Sequence, residues 1–185
     1  MKYVRLSLLL ILLCGLGYPL LMTGISQLLF PEQAEGSIIK NENGKVVGSK
    51  LVGQNFTGDE YFHGRISSIE YDAVNSGSNN YAPSNKTMID RTQKTVDQLL
   101  KEDPGTRKED IPLDLITNSA SGLDPHISPE AARFQIPRVA KASGLSKQEL
   151  ASLIDLNTEG KEWGIFGEPR VNVLKLNLAV NGRMK

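Results

Sequence analysis

Hydrophobic and polar positions divide the chain into two unlike parts. Leu6 to Phe30 runs without a charged side chain, and a helix of that length, at ~1.5 Å per residue, covers the ~30 Å hydrocarbon core of a bilayer with some tilt. A cleaved signal peptide has a shorter apolar stretch ending in an Ala-x-Ala-like site, and here no alanine precedes Ala34. A lipoprotein signal would put a small residue before the modified cysteine, whereas Leu13 precedes Cys14. The pattern predicts a short cytoplasmic N-terminus over 1–5, one retained transmembrane helix over 6–30, and one extracytoplasmic domain over 31–185. Its orientation follows from Lys2 and Arg5 at the near end, since the next basic residue is Lys40. Within the span, Cys14, Gly17 and Gly24 recur at helical spacing around Leu21, giving a low-relief face for packing on another helix. Pro19 predicts a bend.

Beyond the span the patterning turns mixed. Two β-branched runs flank Asn43-Gly44 in SIIKNENGKVVGSKLVGQ, which predicts a hairpin. Phe56 to Asn85 has almost no helical period and is rich in turn formers, so it reads as a long loop, functional or disordered. Its Tyr61, Phe62, Tyr71 and Tyr81 argue for order. Helical spacing of Met88, Thr92, Val96, Leu99 and Leu100 predicts a helix from Thr87 to before Pro104. Ser128-Pro129-Glu130 opens a second, which Pro137 should kink or shorten and Gly144 should end. Ser146 and Glu149 have the spacing of a capping box ahead of a third. The closing RVNVLKLNLAV alternates enough to read as a half-buried strand. The expectation is an α+β domain, a small mixed sheet with about three helices, on a single N-terminal transmembrane helix.

Charge and composition narrow the chemistry. The formal net charge of zero joins a basic N-terminal end to a weakly acidic remainder, which disfavours a nucleic-acid partner held by counterion release. The one cysteine excludes a disulfide within the chain. His63 and His126 lack metal-pair spacing, so a zinc site with Asp124 would need distant loops to meet; the simpler reading is hydrogen-bonded loop histidines and no metal. NSASGLDPH places Ser119, Ser121, Asp124 and His126 together, which suggests a hydrolase triad of Ser121, Asp124 and His126, although Asn118 stands where a nucleophile elbow has its first glycine. A turn leading to the Ser128 cap accounts for the same stretch. Glu70/Asp72 and Glu109/Asp110 are carboxylate pairs of the sort that solvate loops. No Gly-x4-Gly-Lys-Ser/Thr loop occurs, so the chain has no motif for binding a nucleotide on its own.

Five collinear stretches carry a resemblance: YPLLMTGISQLLFP, GSKLVGQNF, YFHGRISSIEYDAVNSGSNNYAPSN, SASGLDPHISPEAARFQIPRVAKASGLS and GEPRVNVLKLNLA. They make the chain similar to the C-subunit family of the Kdp potassium-transporting ATPases over essentially its whole length. The resemblance implies a non-catalytic accessory subunit in the cell membrane, beside a channel-like A subunit, an ATP-hydrolysing B subunit and a small F subunit. It also implies a catalytic chaperone that raises the B subunit's affinity for ATP, with ATP as cofactor only within the complex. Family descriptions tie that role to a glutamine and to a stretch like the ABC-transporter signature. The nearest positions are Gln135 and Leu145-Ser146-Lys147-Gln148-Glu149, with Ser146 and Gln148 as nucleotide-related candidates. The alternatives are an anchored extracellular hydrolase, a direct ATP-binding chaperone, and an extracellular cap of the potassium pore with no effect on ATP.

Overall fold

The computed structural model describes residues 1–41 and 43–184. The chain falls into two compact units, Met1–Ser49 and Lys50–Lys185.

In the first unit, α1 (Lys2–Leu12) and α2 (Tyr18–Leu29) are joined by a π-helical turn over Leu13–Gly17. Pro19 explains the turn: its ring crowds the carbonyl four residues back, at Gly15, and widening the helix there relieves the clash. The continuous helix Lys2–Leu29 has 28 residues and no buried position, so its apolar side chains find no partner within the unit. A short α3 (Pro31–Ala34) follows. The expected hairpin is present as antiparallel β1 (Ile38–Lys40) and β2 (Val46–Ser49), with a bulge after Ile39. Gly44 takes a positive φ, 74°. Asn41 closes the longer loop: its Oδ1 accepts from the amides of Asn43 and Lys45 at 3.1 and 2.9 Å.

The second unit builds its core from helices around a small antiparallel sheet. α4 (Lys86–Glu102) starts where Asn85 caps the amide of Met88. Strands β3 (His126–Ile127), β4 (Thr158–Glu159) and β5 (Arg170–Asn172) form a sheet in the order β3-β5-β4. Ser128 caps α5 (Pro129–Phe134), and Pro137 breaks the expected single helix into α5 and α6 (Ile136–Ser143). Gly144 ends α6 at φ 76°, and the capping box opens α7 (Lys147–Leu156). α7 packs on α5, α6 and α8, burying Leu150 and Ile154 completely.

Two expectations need correction. The sheet is antiparallel throughout rather than mixed. The closing run is a strand only to Asn172 and continues as α8 (Val173–Asn181). Asn172 caps the amide of Lys175, and Val173, Leu176, Asn177 and Val180 then form a buried face at helical spacing. The strict alternation that suggested a strand was broken at Leu174 and Ala179, and both of these fit the helical period.

Residues 50–85 contain no helix or strand, only the isolated bridge Ile66↔Asn118, yet they are ordered by side chains reaching in from elsewhere. Phe62 is fully buried. Asn177 brackets its backbone, accepting from Phe62 N at 2.8 Å and donating to Phe62 O at 2.9 Å.

Candidate functional site

The α5–α6 junction organises a dense set of hydrogen bonds in the second unit. Proline at 137 has no amide to donate and crowds the carbonyl of Arg133, so α5 stops and Gln135 is turned inward, 4% exposed. Gln135 Oε1 accepts from His63 N and from the Arg138 guanidinium, both at 2.7 Å. Its Nε2 donates to His63 O at 3.1 Å and to Ala131 O at 3.2 Å. A glutamine amide has two donor hydrogens and two acceptor lone pairs, and all four are used.

Arg138 extends the clamp. Its Nη1 donates to Asp59 O at 2.8 Å and to Tyr61 O at 3.1 Å, and its Nε lies 3.6 Å from Glu102 Oε2. Burial pushes its pKa down and the Glu102 and Asp59 carboxylates oppose that. His63 Nε2 donates to Gly58 O at 3.1 Å. Burial, then the neighbouring Arg138 charge, holds His63 below its ordinary pKa, which favours the neutral imidazole carrying its proton on Nε2. The chain from Gly58 to His63 is therefore held on α5–α6 through its backbone.

A second cluster ties the loop to residues 117–124. Arg65 pairs with Asp124 at 3.1 Å and donates to Thr117 Oγ1 and Asn118 O. Ser67 Oγ donates to Gly122 O at 2.7 Å while accepting from Tyr71 N at 2.9 Å. The Tyr71 hydroxyl donates to Arg65 O, and burial pushes its pKa up to about 12. At Gly53 a Cβ would sit 2.6 Å from Asp124 O and 2.9 Å from the Tyr71 ring, so only glycine permits that approach. A polar cleft of about 500 Å³, lined among others by Thr57, His63, Arg65, Glu70 and Gln98, opens beside this cluster.

The suggested triad is not assembled. Asp124 spends Oδ2 on Arg65 and Oδ1 on the His126 amide, at 3.0 Å. The His126 ring Nδ1 is 3.8 Å from Asp124 Oδ1, beyond hydrogen-bond reach. His126 Nε2 faces Asn172 Nδ2 at 3.4 Å, and Ser121 Oγ accepts from Leu123 N at 3.1 Å. Burial, then Arg170, lowers the His126 pKa. The Ser121 and Asp124 contacts are those of a turn leading into β3. His63, His126 and Asp124 do not converge on a metal position, and among the described residues no group of three or more His, Cys, Asp or Glu does so.

Of the nucleotide-related candidates, Gln135 lies inside the clamp, whereas Ser146 and Gln148 lie on the exposed start of α7. Ser146 Oγ accepts from Glu149 N at 3.2 Å, and Ser146 N donates to Glu149 Oε2 at 2.9 Å. The hydrogen bond from the Ser146 hydroxyl holds the Glu149 carboxyl below its ordinary pKa. The carbonyl of Gln148 accepts from Ser152 Oγ at 3.0 Å. A shallow groove of about 300 Å³ bounded by Gln148, Leu153, Leu156 and Arg183 runs alongside.

In the apolar helix, Cys14 is a free exposed thiol. A Cβ at Gly24 would meet nothing within 4 Å, and one at Gly17 only the Leu12 carbonyl at 3.7 Å.

Arg65, Arg138 and Asn177 were not among the candidates from sequence. Asn177 stood as a polar partner in the supposed strand, and a helical reading of 173–180 would have placed it on the buried face. Arg65 and Arg138 carry no local signal for the contacts that hold the loop, because Asp124 and Asp59 are 59 and 79 residues away from them.

Comparison with known proteins bears on the whole chain. Residues 1–182 match the family model of the K+-transporting ATPase c chain, KdpC. The chain is 51% identical over 182 residues to the potassium-transporting ATPase KdpC subunit of Bacillus anthracis, spanning 98% of this chain and 94% of that one. The KdpC subunits of Bacillus cereus strain ATCC 14579 and Bacillus mycoides strain KBAB4 are 51% and 52% identical over the same coverage.

Proposed function

The chain belongs to the KdpC family of K+-transporting ATPase c chains, and on that premise we propose that it is a non-catalytic, single-pass subunit that stabilises a potassium-transporting ATPase. The observation that carries the reading is the family match from residue 1 to 182, which includes the apolar helix Lys2–Leu29 as well as the folded unit. In this reading Lys2 and Arg5 hold the N-terminus in the cytoplasm and the remainder lies outside. The helix face of Cys14, Gly17 and Gly24 packs on the A subunit, Pro19 and its π-turn shape that contact, and the outer domain covers the external side of the pore.

The chaperone effect on ATP belongs to the same proposal, as a coupling free energy passed through the complex to the B subunit. The geometry of the candidate residues supports this route over direct contact. Gln135 would have to give up existing bonds to meet a nucleotide, and Ser146 with Glu149 already satisfies the first turn of α7.

Topology is tested with Asn43→Cys in a Cys14→Ser background. An impermeant thiol reagent is expected to label it in intact cells; labelling only after lysis overturns the orientation and reopens direct ATP contact. Deleting Lys2 to Phe30 is expected to release the domain from the ATPase. Ser121→Ala and His126→Ala are expected to leave potassium-dependent ATP hydrolysis by the complex largely intact, and its collapse in an assembled complex would argue for chemistry at that turn.

A further inference from the structure

Three exposed apolar side chains of the second unit sit on one turn. Between β4 and β5 the chain makes a narrow loop in which Glu162 N donates to Phe166 O at 2.8 Å and Phe166 N to Glu162 O at 3.0 Å. Gly164 N donates to Lys161 O at 3.1 Å, closing the tip. The tip carries Trp163, 91% exposed, Ile165, 74%, and Phe166, 59%. The Trp163 and Phe166 rings meet edge-to-face at 6.2 Å and 71°. Trp163 has a φ of 53°, the adjacent Gly164 follows it into the left-handed region at 75°, and Gly167 has a φ of 79°. A bulky aromatic in the left-handed region is unfavourable and persists only where the surrounding backbone enforces it. Here the enforced conformation holds the indole out in solvent, where it gains no burial within this unit.

The charges around the tip are mutually paired. Arg170 contacts Glu162 at 3.2 Å and Glu159 at 3.3 Å, and Lys161 lies 3.7 Å from Glu168. The result is a stiff apolar knob with a neutralised polar rim, the anatomy of an interface anchor. From Glu159 to Arg170 there are three acidic and two basic residues, so the loop lacks the cationic surplus that draws interfacial segments to anionic lipid. Aromatic side chains bury about 150–250 Å² each, so the knob offers a few hundred Å², well short of the ~1,200 Å² that a stable self-associating surface requires. A small anchor suffices where the chain is already held by a second attachment, because a tether makes the contact effectively intramolecular.

We propose that the Trp163–Phe166 turn is a docking knob that inserts into an apolar cleft on another protein subunit of the transport complex, as a second point of attachment beside the membrane helix. The inference rests on the reading of the chain as a subunit of that complex.

Trp163 is the sole tryptophan, so the indole of the full chain alone in neutral-phospholipid nanodiscs reports only on the knob. Its emission is expected to be water-like and open to acrylamide; a blue-shifted emission quenched by brominated lipid makes the occupant the bilayer and overturns the proposal. In the assembled complex, Trp163→p-benzoylphenylalanine is expected to crosslink to a different protein subunit. Adducts only to lipid, only to a second copy of this chain, or to nothing overturn it. The double variant Trp163→Ser, Phe166→Ser is expected to keep its melting curve while about tenfold less chain survives washing of the complex. Undiminished retention of that variant overturns the inference alone. If the wild-type chain itself fails to co-purify with the ATPase, the subunit reading falls and takes this one with it.

Discussion

Gln135 and Trp163 invert the ordinary distribution of side chains in opposite senses. One is a polar amide 4% exposed, the other a large aromatic 91% exposed. Soluble domains bury polar groups when partners exist inside, and hold large apolar groups in water at a cost. Gln135 is accounted for entirely within the unit, since each of its hydrogen-bonding positions is filled by the backbone of His63 or Ala131 or by Arg138. Trp163 has one neighbouring ring and otherwise faces outward. The contrast separates a residue that builds the domain from one whose use lies beyond it, and it argues against taking a glutamine's family role as evidence for its exposure.

Substitution should separate the two most sharply at Gln135. Gln135→Leu strands the amide and carbonyl of His63 and a partly buried Arg138 donor, so unfolding free energy should fall by about 3 kcal/mol, read by denaturant titration of the full chain in detergent. A loss below about 1 kcal/mol would show that the clamp does not hold the loop. Asn177→Ala removes both bonds to the Phe62 backbone and should destabilise by about 2 kcal/mol, with protease cleavage appearing first between residues 56 and 85. Ser128→Ala uncaps α5, which positions Gln135, and should lower stability by about 1 kcal/mol.

Acidification should act in the same direction. His63 and His126 both have native pKa values below the ordinary 6.5, so near pH 6 the unfolded chain binds more protons than the native one. Their contribution is therefore fully present above about 6.5 and is lost as pH falls toward the lowered native values. The melting temperature should decline from pH 7.5 to 5.5, and His63→Gln should flatten part of that slope. Trp163→Ser should change stability least, within about 0.5 kcal/mol; a larger loss would mean the knob supports the fold.

Legibility along the sequence tracked the range of the interactions concerned. Helix starts at Ser128 and Ser146 each depend on a cap contact three residues long, and both were readable; the start of α4 was placed at Thr87 by hydrophobic spacing, without the Asn85 cap that fixes it. Also readable were the stop at Gly144, the break at Pro137 and the hairpin across 38–49, although its turn is longer than the Asn-Gly pair implied. The order of the 56–85 loop was inferred from its aromatics, but its cause was not, because it depends on Asn177, Gln135 and Arg138, each 72 or more residues from its loop partner. The closing segment misled for a related reason. Alternating valines and leucines satisfy a strand and, in part, a helix, and Asn172 resolves the choice by capping Lys175 while donating to the Lys50 carbonyl at 2.8 Å.

The sequence by itself determined the apolar helix, the capped starts of α5 and α7 and the family, because charge depletion, caps and collinear motifs are local or additive properties of the chain. Tertiary structure alone decided that Gln135 is a buried clamp, that Ser121, Asp124 and His126 form no relay, and that Trp163 stands exposed. Each of these depends on which distant groups compete for a side chain's few hydrogen bonds or cover its surface, and spacing along the chain does not encode that competition.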